Sequence, residues 1–168
     1  MNQTQIRTQY VRRFKDSGAA LAGLFELTGR CNLDCKMCYV HTKSNADFLK
    51  TERSGDWWIQ QIDAACNKGM LFATLSGGEC LLHPDFRRIY LHLLEKRVYT
   101  QINTTGLLLT EDNIEFLKQN RPFELQVTLY GASNDAYKEV TGVPAFEYIE
   151  TAILRPGKTT RPHAIIIM

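Results

Sequence analysis

Five short apolar runs of strand length, separated by amphipathic stretches of helical period, constrain this chain more than any other feature of its sequence. Leu21 to Leu27 reads as a buried strand. Residues 55 to 68 then carry Trp58, Ile62 and Ala65 at helical spacing, with Gly69 as the stop. Met70 to Leu75 is the second strand, and Pro84 opens a helix whose apolar positions include Phe86, Ile89, Leu93 and Leu94. Val98 to Asn103 is the third strand, and Thr110 is a good N-cap for a helix from Glu111 to about Gln119. Phe123 to Leu129 is the fourth, followed by helical segments from Ser133 and beyond the turn at Gly142 to Pro144. Ala164 to Ile167 is the fifth. Such alternation predicts right-handed βαβ units on a parallel sheet. The predicted class is α/β, a partial (β/α) TIM-like barrel, because a complete eight-fold barrel takes about 250 residues. The sequence stops inside the fifth strand, so a barrel truncated in or after that strand is the expectation. A polar segment, 1–19, precedes an incomplete core domain, 20–168.

Composition narrows the role. With 44% hydrophobic and 23% charged residues, the chain has the makings of a real core and not of a disordered segment. A net charge of +2, spread along the sequence, gives no footprint for nucleic acid. No run is long enough to span a membrane, and the N-terminus lacks a signal peptide's apolar centre; a cytoplasmic protein is expected. In that compartment clustered thiols more often bind metal or do chemistry than form disulfides.

Cys31, Cys35 and Cys38 stand in a C-x3-C-x2-C run just after the first strand. With His41 they could supply four tetrahedral ligands to zinc. Alternatively, each thiolate could bind one iron of a four-iron cluster and leave the fourth iron open. The cysteines alone leave both readings standing. Cys66 lies on an apolar helical face and reads as a small core residue. Gly77, Gly78 and Glu79 follow the second strand, at the edge where parallel α/β proteins bind ligands. Two glycines there allow close backbone approach to a ligand, and the carboxylate of Glu79 can accept hydrogen bonds from an ammonium group.

Taken together these residues resemble a known family. The run Cys31-Asn32-Leu33-Asp34-Cys35-Lys36-Met37-Cys38-Tyr39 resembles the cluster loop of radical S-adenosylmethionine (SAM) enzymes. Leu75-Ser76-Gly77-Gly78-Glu79 is similar to that family's Gly-Gly-Glu strand end, and Asn103-Thr104-Thr105-Gly106 to its third strand end. Val127 to Ser133, with Val140-Thr141-Gly142-Val143-Pro144, resembles its peptide-modifying, SPASM-like branch. The resemblance implies a [4Fe–4S] cluster on Cys31, Cys35 and Cys38, with the SAM amino and carboxylate groups on the open iron. It assigns the SAM amino group to the backbone at Gly77-Gly78 and the side chain of Glu79, and the carboxylate or ribose to Thr128. Tyr39 would contact the adenine region or pack beside the cluster. The implied activity is reductive cleavage of SAM to a 5′-deoxyadenosyl radical acting on a peptide or small molecule. A flavodoxin or ferredoxin would supply the electron.

Departures from the family pattern set the rival expectation. Cys80 stands where proline is common, Met37 where an aromatic is frequent, and the strands that would complete the SAM pocket are absent. The alternative is thus a truncated or split-protein fragment that binds a cluster or a second, barrel-completing chain without turnover. A zinc-binding module is the third reading.

Overall fold

The computed structural model describes residues 20–38 and 50–154, the backbone of 164–167, and four single positions in the N-terminal segment. Five strands form one sheet: β1 (Ala22–Thr28), β2 (Phe72–Gly77), β3 (Tyr99–Thr104), β4 (Glu124–Thr128) and β5 (Ala164–Ile167). They lie side by side in chain order, every neighbouring pair parallel. Parallel neighbours need a crossover, and helices supply it: α1 (Gly55–Asn67), α2 (Phe86–Glu95), α3 (Glu111–Gln119), and the pair α4 (Asn134–Thr141) and α5 (Phe146–Leu154). The architecture is the α/β one that the alternation predicts.

Local chemistry explains the helix boundaries. Ser54, Thr110 and Ser133 each accept the backbone N–H of the third residue of the following helix, which fills an orphan donor of the first turn. Gly142 closes α4 at a φ of 79°, a left-handed conformation that glycine adopts without a Cβ penalty. The helix expected to open at Pro84 begins instead at Phe86, with Asp85 as its cap. The carboxylate of Asp85 caps no amide of its own helix; it pairs with Arg88 there and accepts the Gly55 N–H at 3.0 Å, tying the start of α1 to that of α2.

The strands are one-sided. Phe25, Leu27, Ala73, Leu75, Ile102, Leu125 and Val127 point to the helices and are buried with Ile62, Ile89, Leu93, Leu117 and Ile149. The alternate residues face the other way: Leu24 and Glu26 on β1, Phe72, Thr74 and Ser76 on β2, Tyr99, Gln101 and Asn103 on β3, and Gln126 and Thr128 on β4. This corrects the reading of residues 21–27 as a wholly buried strand. Leu24 is 63% exposed, because only one face of the sheet has a layer packed on it among the described residues. The open face is graded. Phe72, Tyr99 and Phe123 form a mutually contacting aromatic group at the strands' N-terminal ends, and polar side chains occupy the C-terminal half.

Ile102 is fully buried at the centre of this sheet. Ile102→Ala is expected to destabilise the chain by about 2–5 kcal/mol. Urea unfolding should show the midpoint falling with an unchanged slope.

Candidate cluster and SAM site

The C-terminal strand ends meet the cysteine loop in one continuous rim. The loop leaves β1 under tight control: Arg30 pairs with Glu52 through two guanidinium nitrogens, and the Thr28 hydroxyl donates to the same carboxylate. The Gly78 N–H then reaches the Thr28 carbonyl at 2.9 Å and the Glu79 N–H the Arg30 carbonyl at 2.8 Å, so the loop runs alongside the end of β2. Two glycines make that approach possible. A Cβ on Gly77, whose φ is 128°, would stand 2.4 Å from the Thr28 carbonyl oxygen; one on Gly78 would stand 2.4 Å from that of Arg30 and 3.0 Å from the Cys31 Cβ. The glycines expected to admit a ligand thus first admit the cysteine loop.

The far side of the loop is held by α4. The Asp34 N–H donates to the Thr141 carbonyl and the Lys36 N–H to the Val140 carbonyl, each at 2.9 Å. Leu33 is buried between these anchors, at 2% exposure. Cys31, Cys35 and Cys38 are free thiols, each partly exposed. Burial pushes the Cys31 thiol up, and the Cys35 thiol is pushed up to about 11 by burial and by the neighbouring Cys31 and Cys38. The three sulfurs therefore share one region and would repel one another as bare thiolates. A cationic metal centre removes that repulsion, and a soft, three-thiol donor set suits iron–sulfur ligation. The residues present fit such a group. Among the described residues no group of three or more Cys, His, Asp or Glu side chains has the geometry of a single-ion site. His41 and Tyr39, named from the sequence, lie outside the described residues, as does Met168.

Glu79 is fully buried. Its Oε2 accepts from the Thr104 hydroxyl at 2.8 Å, the Thr105 hydroxyl at 2.7 Å and the Thr105 N–H at 2.8 Å. Its Oε1 accepts the Leu81 N–H at 3.0 Å and so caps the short 3-10 turn Cys80–Leu82. Thr105 continues the chain of contacts, its hydroxyl 3.0 Å from the Asn32 side-chain oxygen in the cysteine loop. The carboxylate expected to meet the SAM amino group is thus occupied by the protein, binding the ends of β2 and β3 to each other and, through Thr105, to the loop. Thr128 is half-buried at the end of β4 on the open face, the same face as Ser76 and Asn103.

Cys80 is a core residue. It is fully buried, its thiol donates to the Asn103 carbonyl at 3.2 Å, and burial holds that thiol well above its ordinary value. Cys66 is only half-buried, packed on the edge of the core. Six residues take roles that the sequence alone did not single out: Thr104 and Thr105, Arg30 with Glu52, Tyr130, whose phenol hydrogen-bonds the Cys35 thiol, and Asn32. Thr104, Thr105, Asn32 and Tyr130 lie within motifs named from the sequence, whereas Arg30 and Glu52 carry no such signal.

Comparison with known proteins gives this rim a context. The sequence profile of the Radical SAM superfamily matches residues 25–160. A PqqA peptide cyclase from Granulibacter bethesdensis is 30% identical over 125 residues, 71% of this chain and 32% of that protein. The antilisterial bacteriocin subtilosin biosynthesis protein AlbA of Bacillus subtilis is 33% identical over 98 residues, 58% of this chain and 21% of that protein. Streptococcus suis SuiB bound to S-adenosylmethionine shares the fold with a TM-score of 0.67 at 19% identity, over 88% of this chain and 36% of that one. SuiB bound to precursor peptide SuiA aligns with the same TM-score of 0.67. The chain spans about a third or less of the length of these curated relatives.

If Glu79 is a structural junction, its loss is felt with no cofactor present. Glu79→Ala strands buried donors on Thr104, Thr105 and Leu81, each worth about 1–3 kcal/mol. Urea unfolding of the metal-free chain should show a loss of at least about 3 kcal/mol, with Glu79→Gln falling between the two. Unchanged apo stability in Glu79→Gln would return the carboxylate to a purely ligand-facing role.

Proposed function

The chain belongs to the radical SAM superfamily, and on that footing we propose that Cys31, Cys35 and Cys38 hold a [4Fe–4S] cluster beside a SAM site on the C-terminal strand ends. When bound, the cluster and SAM together supply one-electron reductive cleavage of a carbon–sulfur bond and a 5′-deoxyadenosyl radical. The observation that carries the reading is the bracing of the cysteine loop on two sides. The ends of β2 and β3 hold it through Gly78, Glu79 and Thr105, and α4 holds it through Val140 and Thr141. Such bracing keeps three thiols at fixed mutual positions before any metal arrives, which lowers the ordering cost of loading.

The protein's residues bind, orient and exclude water. The backbone at Gly77-Gly78 borders the loop and receives the amino group of SAM, while Glu79 holds that backbone in shape from below. Thr128 offers its hydroxyl on the open face, on the side assigned to the carboxylate or ribose, and Tyr39 is assigned to the adenine region. Leu33, buried next to Cys31 and donating its N–H to the Cys31 sulfur, gives the loop an apolar backing. The domain reading stands with this proposal: residues 20–168 form the radical-initiating core and 1–19 a polar lead-in.

The substrate class is a peptide. A PqqA peptide cyclase, a bacteriocin biosynthesis protein and a structure with a precursor peptide are all similar to this chain, and the motifs after β4 resemble the peptide-modifying branch. A low-potential flavodoxin or ferredoxin supplies the electron, and the compartment is the cytoplasm; among the described residues no helix is long and apolar enough to cross a membrane. A second reading, a core that works only with another polypeptide, is favoured by the open face. Leu24, Phe72, Tyr99 and Phe123 are 63%, 40%, 54% and 55% exposed, the kind of contiguous apolar surface that a further protein layer covers. A clean, active monomer on size-exclusion chromatography would count against it.

Anaerobic reconstitution with iron and sulfide should give a brown chain with four irons that cleaves SAM to 5′-deoxyadenosine under dithionite. Cys35→Ala should abolish both the colour and the cleavage. A colourless wild-type chain carrying one zinc would overturn the proposal.

A further inference from the structure

Two buried side-chain polar atoms lack a hydrogen-bond partner among the described residues, the Trp58 indole nitrogen and the Tyr137 hydroxyl. Trp58 lies on the outer helix layer, in edge-on contact with Phe25 and Trp57, remote from the rim. Tyr137 lies behind the cysteine loop. It is fully buried on α4, one turn before the carbonyls of Val140 and Thr141 that hold Lys36 and Asp34. Its ring meets that of Tyr130 edge-on, centroids 6.2 Å apart, and the Tyr130 phenol hydrogen-bonds the Cys35 thiol. Burial first, then the nearness of Cys35, Tyr130 and Cys31, pushes the Tyr137 phenol up, so its oxygen lies in the field of the same thiols.

An unpaired buried hydroxyl is costly, and phenylalanine would fill the same volume without it. The donor therefore stands ready for an acceptor that arrives with the bound group. Thiolate and sulfide sulfurs on iron are such acceptors. A hydrogen bond to them stabilises the extra negative charge of the reduced state and raises the reduction potential.

We propose that Tyr137 is a positioning residue for the iron–sulfur group: its hydroxyl donates a hydrogen bond to sulfur on the Cys35 side of the cluster, beside the bond from Tyr130, and raises the cluster's reduction potential. The inference rests on the proposed cluster at Cys31, Cys35 and Cys38 and adds a tuning device within it. The second layer behind the loop, two phenols in edge-on contact on the β4–α4 side, is then part of the electron-accepting machinery and not only of the core.

The test uses the full chain, reconstituted anaerobically with iron and sulfide, as wild type, Tyr137→Phe and Tyr130→Phe. An EPR-monitored redox titration should place Tyr137→Phe at a more negative midpoint by about 30 mV or more, roughly a threefold change in a one-electron equilibrium at 59 mV per tenfold. Iron and sulfide content should match wild type. The metal-free Tyr137→Phe chain should melt no lower than wild type, because it loses an orphan and not a bond. An unchanged midpoint with full loading, or a lower melting temperature of the metal-free variant, overturns the inference. Should the variant load poorly, resonance Raman of the wild-type cluster in H2O and D2O reads the O–H···S bond directly; no deuterium shift of the iron–sulfur modes overturns it. A wild-type chain that takes up no four-iron cluster defeats the underlying reading instead, so the two failures are distinguishable.

Discussion

The carboxylate of Glu79 is the junction on which the rim depends. A charged group with no solvent contact is tolerated only when its lone pairs are filled, and here three donors come from the end of β3 and one from the turn after β2. Those bonds keep β3 from sliding past β2 where the ladder ends. Its backbone N–H, committed to Arg30, fixes the cysteine loop in the same act. One residue thus sets three segments against each other, the strand ends that would carry SAM and the loop that would carry iron.

That junction works because the glycines beside it carry no side chain. With the Gly78 Cβ position only 2.4 Å from the Arg30 oxygen, any other residue would push the loop off the sheet and break the Glu79-to-Arg30 bond. Close approach, a left-handed φ at Gly77 and a saturated carboxylate are one constraint expressed at three neighbouring positions. The open face repeats the same division of labour. Residues turned toward the helices are mostly apolar and hold the sheet, with Thr100 and Thr104 of β3 the buried exceptions, while Thr74, Ser76, Gln101, Asn103, Gln126 and Thr128 give the other face its polar upper half. There the amide of Gln101 donates to Asn103 and Gln126, which pre-orders that surface.

Much of this was legible beforehand. Helix starts at Ser133 and Thr110 follow from side-chain oxygens that reach first-turn amides, a local effect, and local effects are readable from order alone. The density of the three cysteines marks them as candidate metal ligands, and the place of Gly77 to Glu79 after a strand marks a candidate site. What the sequence does not show is which individual side chains pair across long separations. Short apolar runs such as 21–27 look buried on both sides until neighbouring strands reveal which face has a helix on it. The contact of Arg30 with Glu52, or of Thr105 with Asn32, spans a gap that no periodicity encodes.

The same limit keeps the protein partners of Glu79 out of view in the sequence. From sequence, a carboxylate after two glycines at a strand end has no visible partners, and an ammonium group is the natural one to supply. The fold supplies Thr104 and Thr105 from the next strand, and hydrogen bonds with those fixed donors cost less ordering entropy than bonds with a diffusing ligand. Glu79 thereby also holds the backbone at the end of β2 in place. Backbone groups at a strand end have their direction set by the sheet, so a side chain that fixes them can govern binding without touching what is bound. Tyr137 stands in the opposite condition: its hydroxyl has no partner among the described residues, and an unfilled donor in a dry interior is where an incoming acceptor gains most.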